Sequence, residues 1–383
     1  MKARVIALYL PQYHPIPEND LWWGKGFTEW TNVAKAKPLF RGHYQPRIPA
    51  DLGFYDLRLP EVREQQAQMA REAGVEGFCY YHYWFGNGKQ LLERPFNEVL
   101  ASGKPDFPFC LCWANHDWTN KTWTAQSGLK KEDMMIRMEY SMEDHKNHFY
   151  SILPALKDKR YITVDGKPLF MIYSSFRFPQ ITEFISLWRQ LALENGLPGI
   201  FFLGGTQSTY AFKSNDKGKH VTSLPNLESS ASIYREVLNM GFDAVNSFGK
   251  RRGEMIVDGR VRNIVRIMLQ RYGFPLKKTY DYFKTTQHFF APEDSWENVF
   301  PTVLPQWDRT PRVGNADGVY VNSTPDTFME HLKLALDIIK NKTPEHKVIL
   351  MKSWNEWGEG NYVEPDLRDG HGYLNALAKV ILE

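Results

Sequence analysis

Cysteine is scarce in this sequence, and long apolar runs are missing. The three cysteines, Cys79, Cys110 and Cys112, all lie inside apolar segments. The single residue between Cys110 and Cys112 does not fit the spacing of a redox or zinc pair. We therefore expect three reduced, buried side chains. No run approaches the ~20 apolar residues of a membrane-spanning helix, so no transmembrane segment is expected.

The sequence also lacks an excess of charge of one sign. Its 47 Lys and Arg residues nearly balance 44 Asp and Glu residues, for a formal charge of +3. Such a balance provides no basic surface for a phosphate backbone, which argues against a nucleic-acid partner. The first apolar run soon meets Tyr, Gln and His and has no small-residue cleavage site, so it predicts a strand and not a signal peptide. Cytoplasm is the default location, although a periplasmic chain trimmed of its leader would look the same.

Aromatic residues, in contrast, are abundant. They make up 14% of the chain and include 12 Trp. Trp and Tyr combine a flat apolar face with a polar edge, which suits a partly wet binding cleft. An aromatic core is the alternative interpretation, and composition alone does not decide between the two.

Short β-branched or aromatic runs alternate with amphipathic stretches along the chain, a pattern typical of parallel strands joined by crossover helices. Apolar residues three and four apart predict helices in residues 60–74, 142–158, 181–196 and 325–342, and Gly74 and Gly196 are typical helix stops. The predicted strands are Val5–Leu10, Gly77–Tyr83, Phe109–Ala114, Leu169–Tyr173, Ile200–Gly204, Ala244–Phe248, Val299–Trp307 and Val348–Asn355.

Eight such units favour a closed (β/α)8 barrel over an open sheet. No glycine-rich loop follows the first strand, which argues against a nucleotide-binding fold. We predict one catalytic domain over residues 1–383, with insertions at about 20–56 and 249–298 as pocket walls or lids. The second insertion carries Lys250, Arg251, Arg252, Arg260, Arg262 and Arg266. A solvated face is the favoured interpretation of this basic run, and contact with an anionic or membrane-associated glycan is the alternative.

In a (β/α)8 barrel the reacting residues lie at the C-terminal ends of the strands. These ends are rich in amphipathic residues where core positions would normally be Val, Ile or Leu, which favours a lined sugar-binding pocket, although some of the aromatics will be packing. The predicted substrate-binding residues are Tyr9, Tyr13, Trp30, Tyr81, His82, Trp113, Asn115, His116, Trp118, Tyr173, Trp307, Asp308, Trp354, Asn355 and Trp357.

The strongest chemical signal is the carboxylate pair Glu356 and Glu359, in the segment NEWGEG where the eighth strand ends. Cleavage at an anomeric carbon needs one group to protonate the departing oxygen and another to act as base or nucleophile, and carboxyl groups usually fill both roles. Two Glu residues on an exposed turn are the alternative. We expect the neighbouring Trp354 and Trp357 to desolvate a carboxyl group and raise its pKa, as an acid catalyst requires.

These residues also carry a family resemblance. SWNEWGEGNYVEP resembles the EWxEG signature of the glycoside hydrolase family 99 endo-α-mannosidases. YLPQYHPIPENDLWWGKGFTEW, CYYHYWFG, FCLCWANHDWT and PQWDRTPR are similar to the WbsX group of polysaccharide-biosynthesis proteins, over nearly the whole chain.

The resemblance implies roles for both acids. Glu359 would be the general acid and then base at the glycosidic oxygen. Glu356 would help the sugar's own 2-hydroxyl to attack its anomeric carbon, giving retention through a 1,2-anhydro intermediate. Gly358 stands where the mannosidases carry a histidine, which affects the expected substrate contacts more than the acids.

Other constellations are weaker. His14, His82 and His116 with Asp117 or Asp308 lack a compact metal-ligand spacing, so neither a metal nor another cofactor is expected. Asp308 is a candidate hydroxyl acceptor or a cap for the turn after it. Arg309 and Arg312 would pair with Asp308 or with an acidic sugar, and Glu364 is expected to be structural.

Three functions remain. The first is a retaining glycoside hydrolase that acts on α-linked, mannose-like residues of a bacterial polysaccharide. The second is a glycosyltransferase of O-antigen or lipopolysaccharide biosynthesis, although neither a DxD motif nor a nucleotide-binding sheet is visible. The third is a non-catalytic carbohydrate-binding barrel.

Overall fold

A computed structural model describes residues 1–119, 134–206, 230–271, 278–314 and 317–383. Its centre is a closed barrel of eight parallel strands, because β1 pairs with both β2 and β8. The strands are β1 (Arg4–Tyr9), β2 (Gly77–Gly86), β3 (Phe109–Trp113), β4 (Lys167–Ile172), β5 (Phe201–Gly205), β6 (Ala244–Ser247), β7 (Val299–Val303) and β8 (Val348–Met351). The prediction of a (β/α)8 barrel is confirmed.

Helices surround the barrel, and all four helices predicted from apolar spacing are present. Gly74 and Gly196 follow two of them with positive φ values of 81° and 78°, as expected for helix stops. The helices are α1 (Pro17–Trp23), α2 (Glu29–Lys35), α3 (Pro60–Glu72), α4 (Arg94–Ser102), α5 (Met142–Leu156), α6 (Ile181–Glu194), α7 (Ser230–Asn239), α8 (Lys250–Arg271), α9 (Tyr282–Thr286), α10 (Thr310–Val313), α11 (Pro325–Ile339) and α12 (Gly372–Ile381).

Two strands, β7 and β8, end four residues earlier than predicted. β7 stops at Val303, because the backbone further along finds partners outside the barrel: the Trp307 carbonyl accepts from Tyr320 at 2.8 Å and the Asp308 amide donates to Glu359 at 2.8 Å. β8 stops at Met351, and Asn355–Glu356 forms a separate two-residue strand antiparallel to Asn361–Tyr362. Sequence periodicity does not reveal such changes of partner.

Both long insertions contain regular structure. Residues 20–56 include most of α1 and all of α2. Residues 249–298 include α8, which changes direction at Gly259 (φ 64°), a three-residue strand Thr279–Asp281 and α9. The side chains of Arg260, Arg262 and Arg266 lie outside the described part of the chain.

The cysteine prediction is confirmed, since Cys79, Cys110 and Cys112 are free and buried. Cys79 and Cys110 face each other in neighbouring strands β2 and β3. Among the described residues, no helix is long and apolar enough to span a membrane.

Candidate active site

The loop after β8 presents both carboxylates of the predicted pair at the C-terminal end of the barrel. Asn355–Glu356 pairs with Asn361–Tyr362, and a tight helical turn, Trp357–Glu359, connects the two short strands. Gly360, with a φ of 59°, completes this turn. The loop leaves Glu356 only 5% and Glu359 only 7% exposed, so both are buried groups.

Glu356 forms an ion pair with a lysine that the sequence analysis did not select. The ammonium group of Lys352 donates to Glu356 Oε2 at 2.7 Å and to the Tyr81 hydroxyl at 3.0 Å. It also lies 3.8 Å from Glu359 Oε2. The two carboxylates therefore share one buried cation. The sequence does carry a signal for Lys352. It directly follows the apolar run VILM and precedes Glu356 by four residues.

Glu359 lies among positive charges. Its Oε1 accepts from Arg312 at 2.6 Å, and Arg309 Nε lies 3.0 Å from the same oxygen. Burial acts to raise the pKa of Glu359, but the charges of Arg309, Arg312 and Lys352 outweigh it and hold that pKa well below its ordinary value. The expectation of a raised pKa at this acid was wrong.

The two neighbouring tryptophans direct their polar groups to a different carboxylate. Trp354 Nε1 and Trp357 Nε1 donate to Glu364 at 2.9 and 2.7 Å. Gln66 and Tyr55 donate to the same group at 2.6 and 2.9 Å. Burial nevertheless raises the pKa of Glu364 to about 7. Glu364 thus holds the loop from beneath, in keeping with its predicted structural role.

A fourth buried carboxylate, Glu29 of α2, reaches the loop from the first insertion. Glu29 Oε1 accepts from Arg312 Nε at 2.9 Å, so Arg312 bridges Glu29 and Glu359. A Cβ atom added at Gly358 would lie 1.7 Å from that same Glu29 oxygen. A side chain at position 358 would therefore require Glu29 to move away from Arg312.

One hypothesis from the sequence paired Arg309 and Arg312 with Asp308. In the structure both arginines lie next to Glu359 instead. Asp308 is fully buried and accepts from His43 at 2.8 Å, Gln45 at 2.6 Å and the Thr310 amide at 3.0 Å. Burial raises the pKa of Asp308, but the hydrogen bond from His43 and the charge of Arg47 lower it to about 2. Asp308 caps the turn after it and anchors the first insertion.

The predicted substrate-binding residues lie at three depths. His116 and Tyr173 are partly exposed beside the carboxylates, with ring centroids 5.7 Å apart. A second set keeps a small exposed edge: Trp30, Tyr81, His82, Trp118 and Trp307. A third set is almost completely buried: Tyr9, Tyr13, Trp113, Asn115, Asp308, Trp354, Asn355 and Trp357.

Several residues of the buried set connect neighbouring strand ends. The Asn355 side chain accepts from the backbone N–H of Leu10 at 2.7 Å and donates to the backbone carbonyl of Leu10 at 3.0 Å. Asn115 makes the same pair of contacts with Ser174, at 2.9 and 3.0 Å. Tyr13 donates to the Asn355 carbonyl. These side chains position the barrel mouth from below.

His116 at the mouth and His82, which packs against α5, are neutral near pH 7. Burial lowers the pKa of His116 to about 4, and the nearby Arg177 acts in the same direction. Burial also lowers the pKa of His82 to about 4, and its Nε2 lies 2.8 Å from His148 Nε2. Neutral imidazole both donates and accepts, so the partly exposed His116 can bind a sugar hydroxyl.

The second insertion brings the charged group of Lys250 next to Trp307. Lys250, at the start of α8, lies 4.4 Å from the centroid of Trp307 and 2.6 Å from Glu254. Arg252 donates to the carbonyl of Phe290. Lys250 and Arg252, two members of the predicted basic run, are therefore engaged within the fold.

The charge around Glu359 leads to a prediction for pH dependence. Replacement of Arg309 by glutamine should raise the pKa of Glu359, because one of the cations that stabilise its ionised form is lost. If Glu359 acts as an acid, the alkaline limb of the pH profile of kcat/KM should move to higher pH. Arg189→Gln, which removes an arginine paired with Asp243 at 2.8 Å elsewhere, is the control. An unmoved limb would mean that the protonation of Glu359 does not limit the reaction.

A (β/α)8 barrel with two buried glutamates at its C-terminal mouth has the architecture of the glycoside hydrolases that act through carboxylate pairs. The chain belongs to the family described as "Glycosyltransferase WbsX", whose model matches residues 5–377. The uncharacterized protein WxcX of Xanthomonas campestris pv. campestris is 34% identical over 386 residues. The alignment covers 100% of this chain and 50% of WxcX, so the chain spans half the length of that relative.

Two solved structures of similar fold are a glycoside hydrolase and a glycoside hydrolase-like protein. The family 99 endo-α-mannosidase of Bacteroides thetaiotaomicron has a TM-score of 0.54 and 15% identity, with 99% of this chain and 96% of that chain covered. A glycoside hydrolase-like protein has a TM-score of 0.56 and 14% identity, with coverage of 99% and 94%. At these identities the likeness shows a shared (β/α)8 fold.

Proposed function

We propose that this protein is a retaining glycoside hydrolase that cleaves α-linked, mannose-like residues of a bacterial polysaccharide. The observation that carries the proposal is the pair Glu356 and Glu359, buried at the barrel mouth and sharing the ammonium group of Lys352. The glycosidase-type fold of its structural neighbours supports it. The two insertions form the walls of the pocket in this proposal.

In the proposed reaction Glu356 accepts the proton of the sugar 2-hydroxyl, and O2 attacks the anomeric carbon. The bond from that carbon to the leaving oxygen breaks, and Glu359 protonates the leaving oxygen. Glu359 then removes a proton from water, which opens the 1,2-anhydro sugar at the anomeric carbon, while Glu356 returns the first proton to O2. Two inversions at that carbon give net retention.

Glu359 must carry a proton when the bond breaks, although the free protein holds it ionised. Of its two arginine partners, Arg309 has a side chain 26% exposed, whereas that of Arg312 is 5% exposed. A leaving oxygen that enters next to Glu359 would therefore displace Arg309 more readily. Loss of that contact raises the pKa of Glu359 towards the range of an acid catalyst.

The arginine pair also favours a second candidate, a glycosyltransferase. A sugar phosphate leaves as an anion and needs no proton, so an ionised Glu359 flanked by arginines is compatible with such a donor. The family description points in the same direction. A screen of bacterial polysaccharides with product analysis, run with and without sugar nucleotides, separates the candidates. Cleavage without a nucleotide supports the hydrolase, and sugar transfer only in its presence supports the transferase.

Participation of the 2-hydroxyl gives a second prediction. A substrate deoxygenated at C2 should not be turned over, and the released sugar of the normal substrate should first appear with its original anomeric configuration. Proton NMR during hydrolysis measures both. The 3-deoxy analogue is the control, because it keeps the participating group. Cleavage of the 2-deoxy substrate at a normal rate would require a direct protein nucleophile instead.

A further inference from the structure

Lys352 has a place in the site that neither the carboxylate motif nor the proposed function explains. It directly follows β8, and its side chain is 3% exposed. Its ammonium group lies near the rings of Tyr81 and Tyr173, 5.6 and 5.9 Å from their centroids. Burial of an ammonium group costs free energy unless partners compensate its charge. The two carboxylates, 2.7 and 3.8 Å away, provide that compensation for Lys352.

The hydrogen-bond capacity of this lysine is not used up. An ammonium group has three donors. Glu356 Oε2 takes one at 2.7 Å and the Tyr81 hydroxyl takes another at 3.0 Å. Glu359 Oε2, at 3.8 Å, is beyond hydrogen-bonding distance. Among the described residues, the third donor has no hydrogen-bond acceptor, and it belongs to a group that already touches the proposed base.

We propose that Lys352 binds the sugar hydroxyl that Glu356 deprotonates and stabilises the negative charge that develops on its oxygen. This inference rests on the proposed function. A hydroxyl oxygen within reach of Glu356 Oε2 also lies close to the ammonium group, since only 2.7 Å separates the two protein atoms.

The proposed step moves one proton and exchanges one C–O bond for another. As the C–O bond to the leaving group breaks, the O2 proton passes to Glu356 and an O2 lone pair forms the bond to the anomeric carbon. Lys352 keeps all its protons and acts only through its charge and its third donor. A fixed donor aimed at developing charge in a buried site commonly changes the rate by about 10² to 10³.

A binding cycle tests the contact without any turnover. In protein carrying Glu359→Gln, calorimetric titrations use the methyl α-glycosides of mannose, glucose and galactose and their 2-deoxy counterparts. Lys352→Met should weaken binding of the 2-hydroxyl ligand by about tenfold or more, the size expected of a hydrogen bond to a charged group. It should leave the 2-deoxy ligand unaffected. Equal loss for both ligands, or binding by none of the pairs, overturns the assignment.

The kinetic consequence is measured on a polysaccharide that the unmodified protein cleaves. Lys352→Met should lower kcat by about 10², with a smaller change in KM, and move the pH optimum upward, because removal of a cation makes neighbouring carboxylates hold protons more tightly. Lys352→Arg, which keeps the charge, should recover part of kcat and return the pH optimum towards that of the unmodified protein. A merely structural role would not produce that pH shift.

The matched control is Lys342→Met. Lys342 is also buried and donates to the Val299 carbonyl at the opposite end of the barrel, so this variant reports the cost of losing a buried lysine outside the site. If Lys342→Met changes kcat as much as Lys352→Met, the assignment is overturned. If the binding cycle behaves as expected but no polysaccharide is cleaved, the hydrolase proposal fails while Lys352 stands as a sugar ligand.

Discussion

Replacement of Glu359 by glutamine is expected to reduce hydrolysis by a factor of about 10² to 10⁴, the usual contribution of a general acid. Glutamine keeps the shape of the side chain, and its oxygen can still accept from Arg312, which lies 2.6 Å from Glu359 Oε1. It cannot donate the proton that the leaving oxygen needs. Initial rates of polysaccharide cleavage measure the loss, and binding of the same glycan should persist.

The control for this prediction is Glu345→Gln, because Glu345 is an exposed residue that pairs with Arg4 at 3.0 Å, away from the site. Unchanged turnover in Glu359→Gln would remove the proposed acid. If the unmodified protein binds glycans but never turns them over, and variants of either glutamate only weaken binding, the protein is a carbohydrate-binding barrel. If the protein is a transferase, the activity that Glu359→Gln reduces should be sugar transfer from a nucleotide donor, because the unmodified protein would have no hydrolysis to lose.

Replacement of Glu364 by alanine is expected to lower the free energy of unfolding by about 3–5 kcal/mol, because buried donors lose their acceptor. The donors are the side chains of Tyr55, Gln66, Trp354 and Trp357, at distances of 2.6 to 2.9 Å. Since two of them flank Glu356 in the loop, activity should fall as well. Urea denaturation measures the effect, and Glu345→Ala should change stability little.

The same carboxyl group should make stability depend on pH. The folded protein raises its pKa from 4.5 to about 7, so the folded state binds a proton more tightly than the unfolded state. The contribution of Glu364 to the free energy of unfolding therefore falls as the pH rises from 4.5 to about 7 and is constant above that range. Glu364→Gln, which does not titrate, should lack this part of the pH dependence. An identical pH profile in both proteins would contradict the raised pKa.

The barrel could be predicted from the sequence because its signals are local. Buried parallel strands appear as short apolar runs, amphipathic helices as apolar residues three and four apart, and helix ends as Gly74 and Gly196. Each of the eight predicted strands has a counterpart in the barrel. The location of Glu356 and Glu359 at the mouth followed from the same pattern, since both come after the last strand.

The electrostatics of the site could not be predicted in this way. Trp354 and Trp357 are sequence neighbours of Glu356 and Glu359, yet their indole groups donate to Glu364. Proximity in sequence around a tight turn does not decide which side chains meet. For the same reason the sequence did not identify Lys352 as a site residue. It directly follows an apolar strand, and only the folded loop brings Glu356 to its ammonium group.

The sequence by itself therefore determined the barrel and the end of it at which Glu356 and Glu359 lie, because periodicity and strand order are local properties of the chain. Only the tertiary structure decided the charge state of Glu359. Arg312 reaches Glu359 across 47 residues and Glu29 across 283. The pKa of a buried carboxyl group depends on charges within a few ångströms, however distant they are along the chain.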